Sequence, residues 1–196
     1  MRLKILALLL GLALLAGCSM HTRYTINVDL ASFFGDLLSD FVDFGTTVDF
    51  ELYLPDDEDG DLNTPDLDGM LVRNPIPGDR FLERVYLYAT ADFEETGGES
   101  LDLIVEIYVA PSDTTDLYHG DGTLIGEGGI QLNPNAQGTF DFALELVAGD
   151  DGFGLISQGD FRFGVKLSGR GKSFSYRVTN FRFGLTTQPV GEIVNP

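Results

Sequence analysis

The chain has 196 residues, with 31 acidic against 12 basic side chains, a formal charge of −19 and a single cysteine. So acidic a balance excludes binding through a phosphate backbone, and no nucleic-acid partner is expected. Fifteen Phe and seven Tyr exclude a disordered acidic tail, and one Cys excludes an intramolecular disulfide framework.

The first element is a leader. Arg2 and Lys4 form a basic start, Ile5–Ala16 carries no polar side chain, and Leu15-Ala16-Gly17-Cys18-Ser19 closes the segment with small residues. A basic flank, a short apolar run and a small-residue cut site describe a secretory signal over 1–17, too short to span a bilayer. The Leu-Ala-Gly-Cys ending resembles the lipobox of bacterial lipoproteins, where cleavage precedes the Cys. That resemblance covers residues 1–19. It implies that Cys18 receives a diacylglyceride thioether and an N-acyl chain, enough acyl chains for stable anchoring. Ser19 rather than Asp after the Cys implies sorting to the outer membrane. Residues 18–23 then serve as a tether, and 24–196 as one domain; the mature chain from Cys18 onward carries 31 acids and 10 bases.

That domain reads as all-β. Tyr24, Ile26, Val28 and Leu30 alternate with polar residues, as do Val48, Phe50, Leu52 and Leu54. Between them, Phe33, Phe34, Leu37, Leu38, Phe41 and Val42 recur at helical spacing, with Ser32 as a cap and Gly45 after the last turn. One short helix is therefore expected near 31–44.

Pro55–Gly69 follows, reading PDDEDGDLNTPDLDG. Hard carboxylate oxygens crowded on a glycine-containing loop suit Ca²⁺, and Asp57, Asp59, Asp61, Asp66 and Asp68 are the candidate ligands. The spacing does not fit an EF-hand, because Leu62 stands where a Gly is required. A solvated acidic loop is the competing expectation.

Val85, Leu87, Ala89, Ala91 and Phe93 line one face of a strand, and Leu101, Leu103, Val105, Ile107 and Val109 line one face of the next. A turn within Glu94–Glu99 would join the two as a hairpin, opposing Tyr86 to Tyr108 on a face that also carries Tyr88 and Ile104. Such a face is either covered or open to a ligand. Further alternation runs through Phe140–Leu146, Phe161–Leu167 and Phe174–Val178. Turn signals stand at 119–122, 128–129, 133–135, 149–152 and 169–171. The spacing predicts an antiparallel β-sandwich of jelly-roll or Greek-key type. Phe174, Tyr176 and Val178 share one parity and Phe181, Phe183 and Leu185 the other, which predicts a bulge or corner at Thr179-Asn180.

The bases cluster late. Arg162, Lys166, Arg170, Lys172, Arg177 and Arg182 arrive with no acid among them, while 85–161 holds fifteen acids and no base. Cross-strand attraction to acidic neighbours accounts for such a segment. A docking stripe, with Arg162, Lys166 and Arg177 at its centre, is the alternative.

No nucleophile elbow, zinc-protease helix or catalytic Cys is present, and neither His21 nor His119 has a partner pattern. The expectation is a non-enzymatic, lipid-anchored module of the bacterial envelope that docks an envelope protein or serves a structural role. The alternatives are a calcium-assisted carbohydrate-binding or adhesin module, and a hydrolase whose acid pair is hidden among the carboxylates.

Overall fold

Alternating apolar residues demand a sheet with one dry face. The computed structural model of the chain describes residues 24–29, 39–54, 67–73 and 82–187, and these build two such sheets. The strands are β1 (Tyr24–Asp29), β2 (Ser39–Leu54), β3 (Met70–Val72), β4 (Leu82–Glu95), β5 (Leu101–Pro111), β6 (Thr123–Leu132), β7 (Gln137–Val147) and β8 (Phe161–Thr187). One short helix, α1 (Phe153–Gln158), precedes β8. Every pairing among them is antiparallel.

The long strand β8 organises the rest. Its first half pairs with β5 on one edge and with β3 and the second half of β2 on the other. Its second half pairs with β4 on one edge and with β1 and the first half of β2 on the other. Strand β6 adds outside β5, and β7 outside β4. The Phe161 ring lies 5.7 Å from Phe183 and the Phe163 ring 5.5 Å from Phe181, so β8 doubles back and its halves face each other. The bend falls near 171–173, level with the irregularity between Asp43 and Val48 in β2 and with the β4–β5 and β6–β7 connections. A four-strand ribbon is thus folded across its middle into a sandwich. The front sheet holds β3 and late β2, early β8, β5 and β6; the back sheet holds β1 and early β2, late β8, β4 and β7.

Between the sheets, Val85, Leu87, Ala91 and Phe93 of β4 and Leu101, Leu103, Val105, Ile107 and Val109 of β5 are all buried, as the alternation requires. Phe161, Phe163 and Phe174 are almost wholly removed from solvent, and truncating a buried Phe to Ala costs about 3–5 kcal/mol. Two apolar clusters form, one around Phe163 and Phe183, the other around Phe50 and Phe174. An apolar void of about 80 Å³ lies in the interior where the small Ala89 and Ala91 face Val165 and Val178.

The corner is held by a buried acid. Glu95, 2% exposed, accepts hydrogen bonds from the backbone N–H groups of Gly97, Gly98, Glu99 and Asn135 at 2.6–3.3 Å. Burial alone would raise its pKa, but these four donors outweigh that and hold it below the ordinary 4.5. The carboxylate ties the β4–β5 connection to the β6–β7 connection. Gly98, at φ 75°, takes a left-handed conformation that lets the chain wrap the carboxylate.

Three expectations change. Residues 31–38 lie outside the described residues, but 39–44, expected as the end of a helix, belong to β2. Ser39 to Asp43 pair with Arg177 to Ser173, placing Phe41 outward at 56% exposed and Val42 inward at 3%, so ladder pairing overrides helical spacing. The expected β4–β5 hairpin does not form: both strands run along the same edge of β8, end to end around the corner. The turn signals at 128–129 and 169–171 lie inside β6 and β8. By contrast, the break expected at Thr179-Asn180 is a register shift against Thr90 and Ala91, which keeps Phe174, Tyr176, Phe181, Phe183 and Leu185 all inward.

Candidate functional site

The outer face of the back sheet carries the outward residues of β4 in a row: Arg84, Tyr86, Tyr88, Thr90, Asp92 and Glu94. Ladder pairing sets Tyr86 between Gly184 and Glu145, and Tyr88 between Arg182 and Ala143. The two tyrosine rings stack at 6.3 Å with only 9° between their planes, and Tyr88 is 46% exposed. Two residues apart on a strand, the side chains necessarily share a face; the small Gly184 and Ala143 beside them leave the rings uncrowded.

Hydrogen-bonding groups surround this pair. Arg84 meets Glu145 at 2.6 Å, Thr90 donates to Asp141 at 2.9 Å, and Thr139 donates to Asp92 at 2.9 Å. The Tyr86 phenol and the Glu145 carboxylate raise the Arg84 pKa, so the guanidinium stays charged. One cleft crosses the sheet between Tyr88, Thr90, Asp141, Asn180 and Arg182. A second crosses it nearer the corner, between Phe41, Asp92, Glu94, Thr139 and Arg177. Outward side chains here are mostly hydroxyl, amide, carboxylate, guanidinium and aromatic, with Ala143 and Val147 as aliphatic exceptions on the edge strand.

The front sheet has a different outer face. Tyr53 of β2, Lys166 of β8 and Glu106 of β5 stand in one register row. Lys166 contacts Glu51 at 2.7 Å and Glu106 at 3.8 Å, and its ammonium lies 5.9 Å from the Tyr53 ring centroid. The 112–122 connection folds over this row, burying Leu117 and Tyr118. The Tyr118 hydroxyl donates to the Leu54 carbonyl at 2.9 Å and lies over Gly164, where a Cβ would collide with it. Tyr53 donates to Glu51 at 2.8 Å and contacts His119 Nε2 at 3.1 Å; His119 Nδ1 contacts Asp116 at 3.2 Å. The hydrogen bond from Lys166, then that from Tyr53, lowers the Glu51 pKa. Burial and the neighbouring Glu106 push the Tyr108 phenol up to about 12; burial and Glu51 push Tyr53 higher still. Both phenols are therefore donors at neutral pH. Glu51 and Glu106 thus share one ammonium.

Placed against the sequence, the tyrosine trio divides. Tyr86 and Tyr88 lie on the back face; Tyr108 lies on the front, edge-on to Tyr118 at 5.5 Å and donating to Glu106 at 3.1 Å. The basic segment sits between acidic strands. Arg162 pairs with Asp68 at 2.8 Å, Lys166 with Glu51 and Glu106, Arg170 with Asp49 at 3.1 Å, and Arg177 with Asp92 at 3.5 Å. Cys18, Asp57, Asp59, Asp61 and Asp66 lie outside the described residues. Asp68 is described, and its carboxylate is engaged by Arg162. Among the described residues no group of three or more His, Cys, Asp or Glu is arranged to hold a metal ion. Sequence reasoning missed Tyr53, Tyr118, His119 and Glu95. Only the parity of Tyr53 on β2 hinted at one of them.

No protein-family model matches the chain, and no curated protein matches it. Among solved structures it is similar to the VP2 subviral particle of infectious bursal disease virus, with 12% identity, a TM-score of 0.38, and coverage of 88% of this chain and 34% of that one. It is also similar to TmCBM61 in complex with β-1,4-galactotriose, with 10% identity, a TM-score of 0.34, and coverage of 84% and 89%. A third is the xylan-binding module CBM15, with 10% identity, a TM-score of 0.36, and coverage of 84% and 97%. The chain spans about one third of the length of the capsid protein. Likenesses at these scores carry no functional argument.

Proposed function

We propose that the chain is a non-catalytic glycan-binding module, tethered to a bacterial envelope through acyl chains on Cys18, whose ligand lies across the outer face of the back sheet. The observation that carries this reading is the parallel Tyr86–Tyr88 pair, in which Tyr88 keeps almost half its surface in solvent, ringed by paired hydrogen-bonding groups. Aromatic faces stack on the C–H face of a sugar ring, and the planar guanidinium, amide and carboxylate groups of Arg182, Asn180 and Asp141 suit vicinal hydroxyls. A protein-docking surface would carry an apolar centre, whereas this face has hydroxyls and charges beside its two rings.

The test is binding of the mature chain to a panel of defined oligosaccharides and to purified envelope polysaccharide, beside Tyr88→Ala and Arg182→Ala. Loss of glycan binding in both variants with unchanged melting supports the reading. Capture of an envelope protein at this face, with no glycan bound, would favour protein docking instead. The anchor has its own test: labelled palmitate should enter the wild type and not Cys18→Ser, and equal labelling would end the lipoprotein assignment.

Calcium on the Asp-rich loop is a separate part of the proposal. Millimolar Ca²⁺ should raise the melting temperature of the mature chain, as a ligand specific to the folded state must. Replacing Asp57, Asp59 and Asp61 together with Asn should abolish that rise. No rise in the wild type would leave the loop simply solvated.

A further inference from the structure

We infer that the back face takes a neutral, linear glycan laid lengthwise along β4, with Phe41 as a second stacking ring at the end away from Tyr86 and Tyr88. The inference rests on the glycan-binding reading above and adds to it the ligand's shape, direction and charge.

Shape and direction come from the ladder. Tyr86, Tyr88, Thr90, Asp92 and Glu94 stand on one face of β4. Glu94 shares a row with Ser175 of β8, and Ser175 with Phe41 of β2. This row faces outward, because the adjoining Phe174 and Val42 point into the core. Eight residues separate the Tyr86 row from the Phe41 row, about 27 Å of extended backbone. Across that row, from β2 to β7, three strand spacings give only about 14 Å. The face is therefore about twice as long as it is wide.

The two clefts lie in line along it. One, of about 280 Å³, begins beside Tyr88 and ends at Thr90. The other, of about 860 Å³, runs from Asp92 to Phe41. Thr90 and Asp92 are successive outward residues of β4, so the clefts adjoin end to end. A single exposed Phe is ordinary on a protein surface. Phe41 differs in its place, since it closes the far end of a polar track that starts at two tyrosine rings. One sugar fills one cleft; only a chain of several rings meets both aromatic ends.

Charge selects the class of chain. Counting Arg84, three guanidinium groups stand along the track, the others being Arg177 and Arg182. Five carboxylates stand with them: Asp29 beside Arg182, then Asp92, Glu94, Asp141 and Glu145. Arg84 is already paired with Glu145, and Arg177 with Asp92. Carboxylates are thus in excess, on a chain whose formal charge is −19. A polymer bearing phosphate, sulfate or carboxylate on each unit would be repelled along the whole track. Sugar hydroxyls suit it instead, because each can donate to a carboxylate and accept from a guanidinium or amide.

The test uses the full mature chain in affinity electrophoresis and calorimetry. Soluble glucans, mannans and chitin oligomers serve as neutral probes, alginate and polygalacturonate as acidic ones. Neutral polymers should bind and acidic ones should not, and a tenfold rise in salt should change the neutral affinity by less than about twofold. For the sugar that binds, the hexasaccharide should be held about tenfold tighter than the disaccharide. Phe41→Ala should weaken the hexasaccharide about threefold to tenfold, the range of one aromatic contact, without altering melting or disaccharide affinity. Tyr88→Ala should weaken both. Equal affinity for the two lengths, or a Phe41→Ala variant that binds the hexasaccharide as the wild type does, would overturn the lengthwise track while leaving glycan binding intact. Tight binding of alginate or polygalacturonate would overturn the neutral class. Failure of every probe, neutral and acidic, would instead overturn the glycan reading itself.

Discussion

The two outer faces of this sandwich are made from the same folded ribbon, yet one is closed and the other open. On the front face, Tyr53 and Tyr118 are less than a tenth exposed, their hydroxyls are committed to Glu51 and Leu54, and the 112–122 connection lies over them. On the back face, Tyr86 and Tyr88 have the same alternating placement on a strand, but Tyr88 keeps almost half its surface in water. The difference is made by a missing side chain. Gly164 leaves a hollow in which Tyr118 settles, whereas the back face has the stacked pair itself beside Gly184. Tyrosine on an outward strand position is thus covered in one place, Tyr53, and an available ring in the other, Tyr88, and only its neighbours decide which.

Removing the element both faces share should have the largest effect. Glu95→Ala strips one carboxylate from four backbone N–H groups at the corner, and a loss of about 3–5 kcal/mol is expected in chemical denaturation. Its pH dependence follows in sign. The folded pKa lies below the unfolded one, so the stabilisation is complete above the ordinary carboxylate range and is lost as pH falls through the depressed value. Glu95→Gln should remove most of that acid sensitivity. An equally steep acid transition in the Gln variant would show that another carboxylate governs it.

Next in size is the closed face alone. Tyr118→Ala empties a buried ring position and should cost about 3 kcal/mol while leaving any ligand of the back face bound as before. A small stability change would mean that the connection merely rests on the sheet. The open face should behave inversely: Tyr88→Ala should alter stability by less than about 1 kcal/mol yet weaken glycan binding by about tenfold, or about 1.4 kcal/mol. Comparable stability losses in the two variants would erase the contrast between the faces. The smallest expected effect lies between them. Ala91→Val adds two methyl groups toward the interior void and should stabilise by about 0.5–1 kcal/mol, measurable as a higher melting temperature. Destabilisation there would mean that the void cannot accept the added methyls without strain.

Much of the architecture was legible before any coordinates. The inward parity of β4, β5 and β8, the break at Thr179-Asn180 and the acidic partners of the basic segment all follow from period-two alternation and opposite charge. The helical spacing through Phe41 and Val42 misled, because a strand edge with one residue out and the next in produces the same pair of apolar neighbours as a helix stripe. The hairpin of β4 and β5 misled for a related reason. Two strands that share an inward parity satisfy it equally well side by side or end to end around a corner.

By itself, then, the sequence determined which face of β4, β5, β7 and β8 is dry, because side-chain alternation is a local property of extended backbone. It also determined that the late basic segment would lie among acids, because no other charge was within reach to offset theirs. Which strands became neighbours, where the ribbon folded, and which tyrosines were sealed or left in water were decided only in three dimensions. Those outcomes depend on contacts between residues distant in sequence: Glu95 with Asn135, Tyr118 over Gly164, Tyr53 with His119. Such contacts leave no period along the chain, since each is fixed by the few ångströms of space and the hydrogen-bonding groups that its partners leave available.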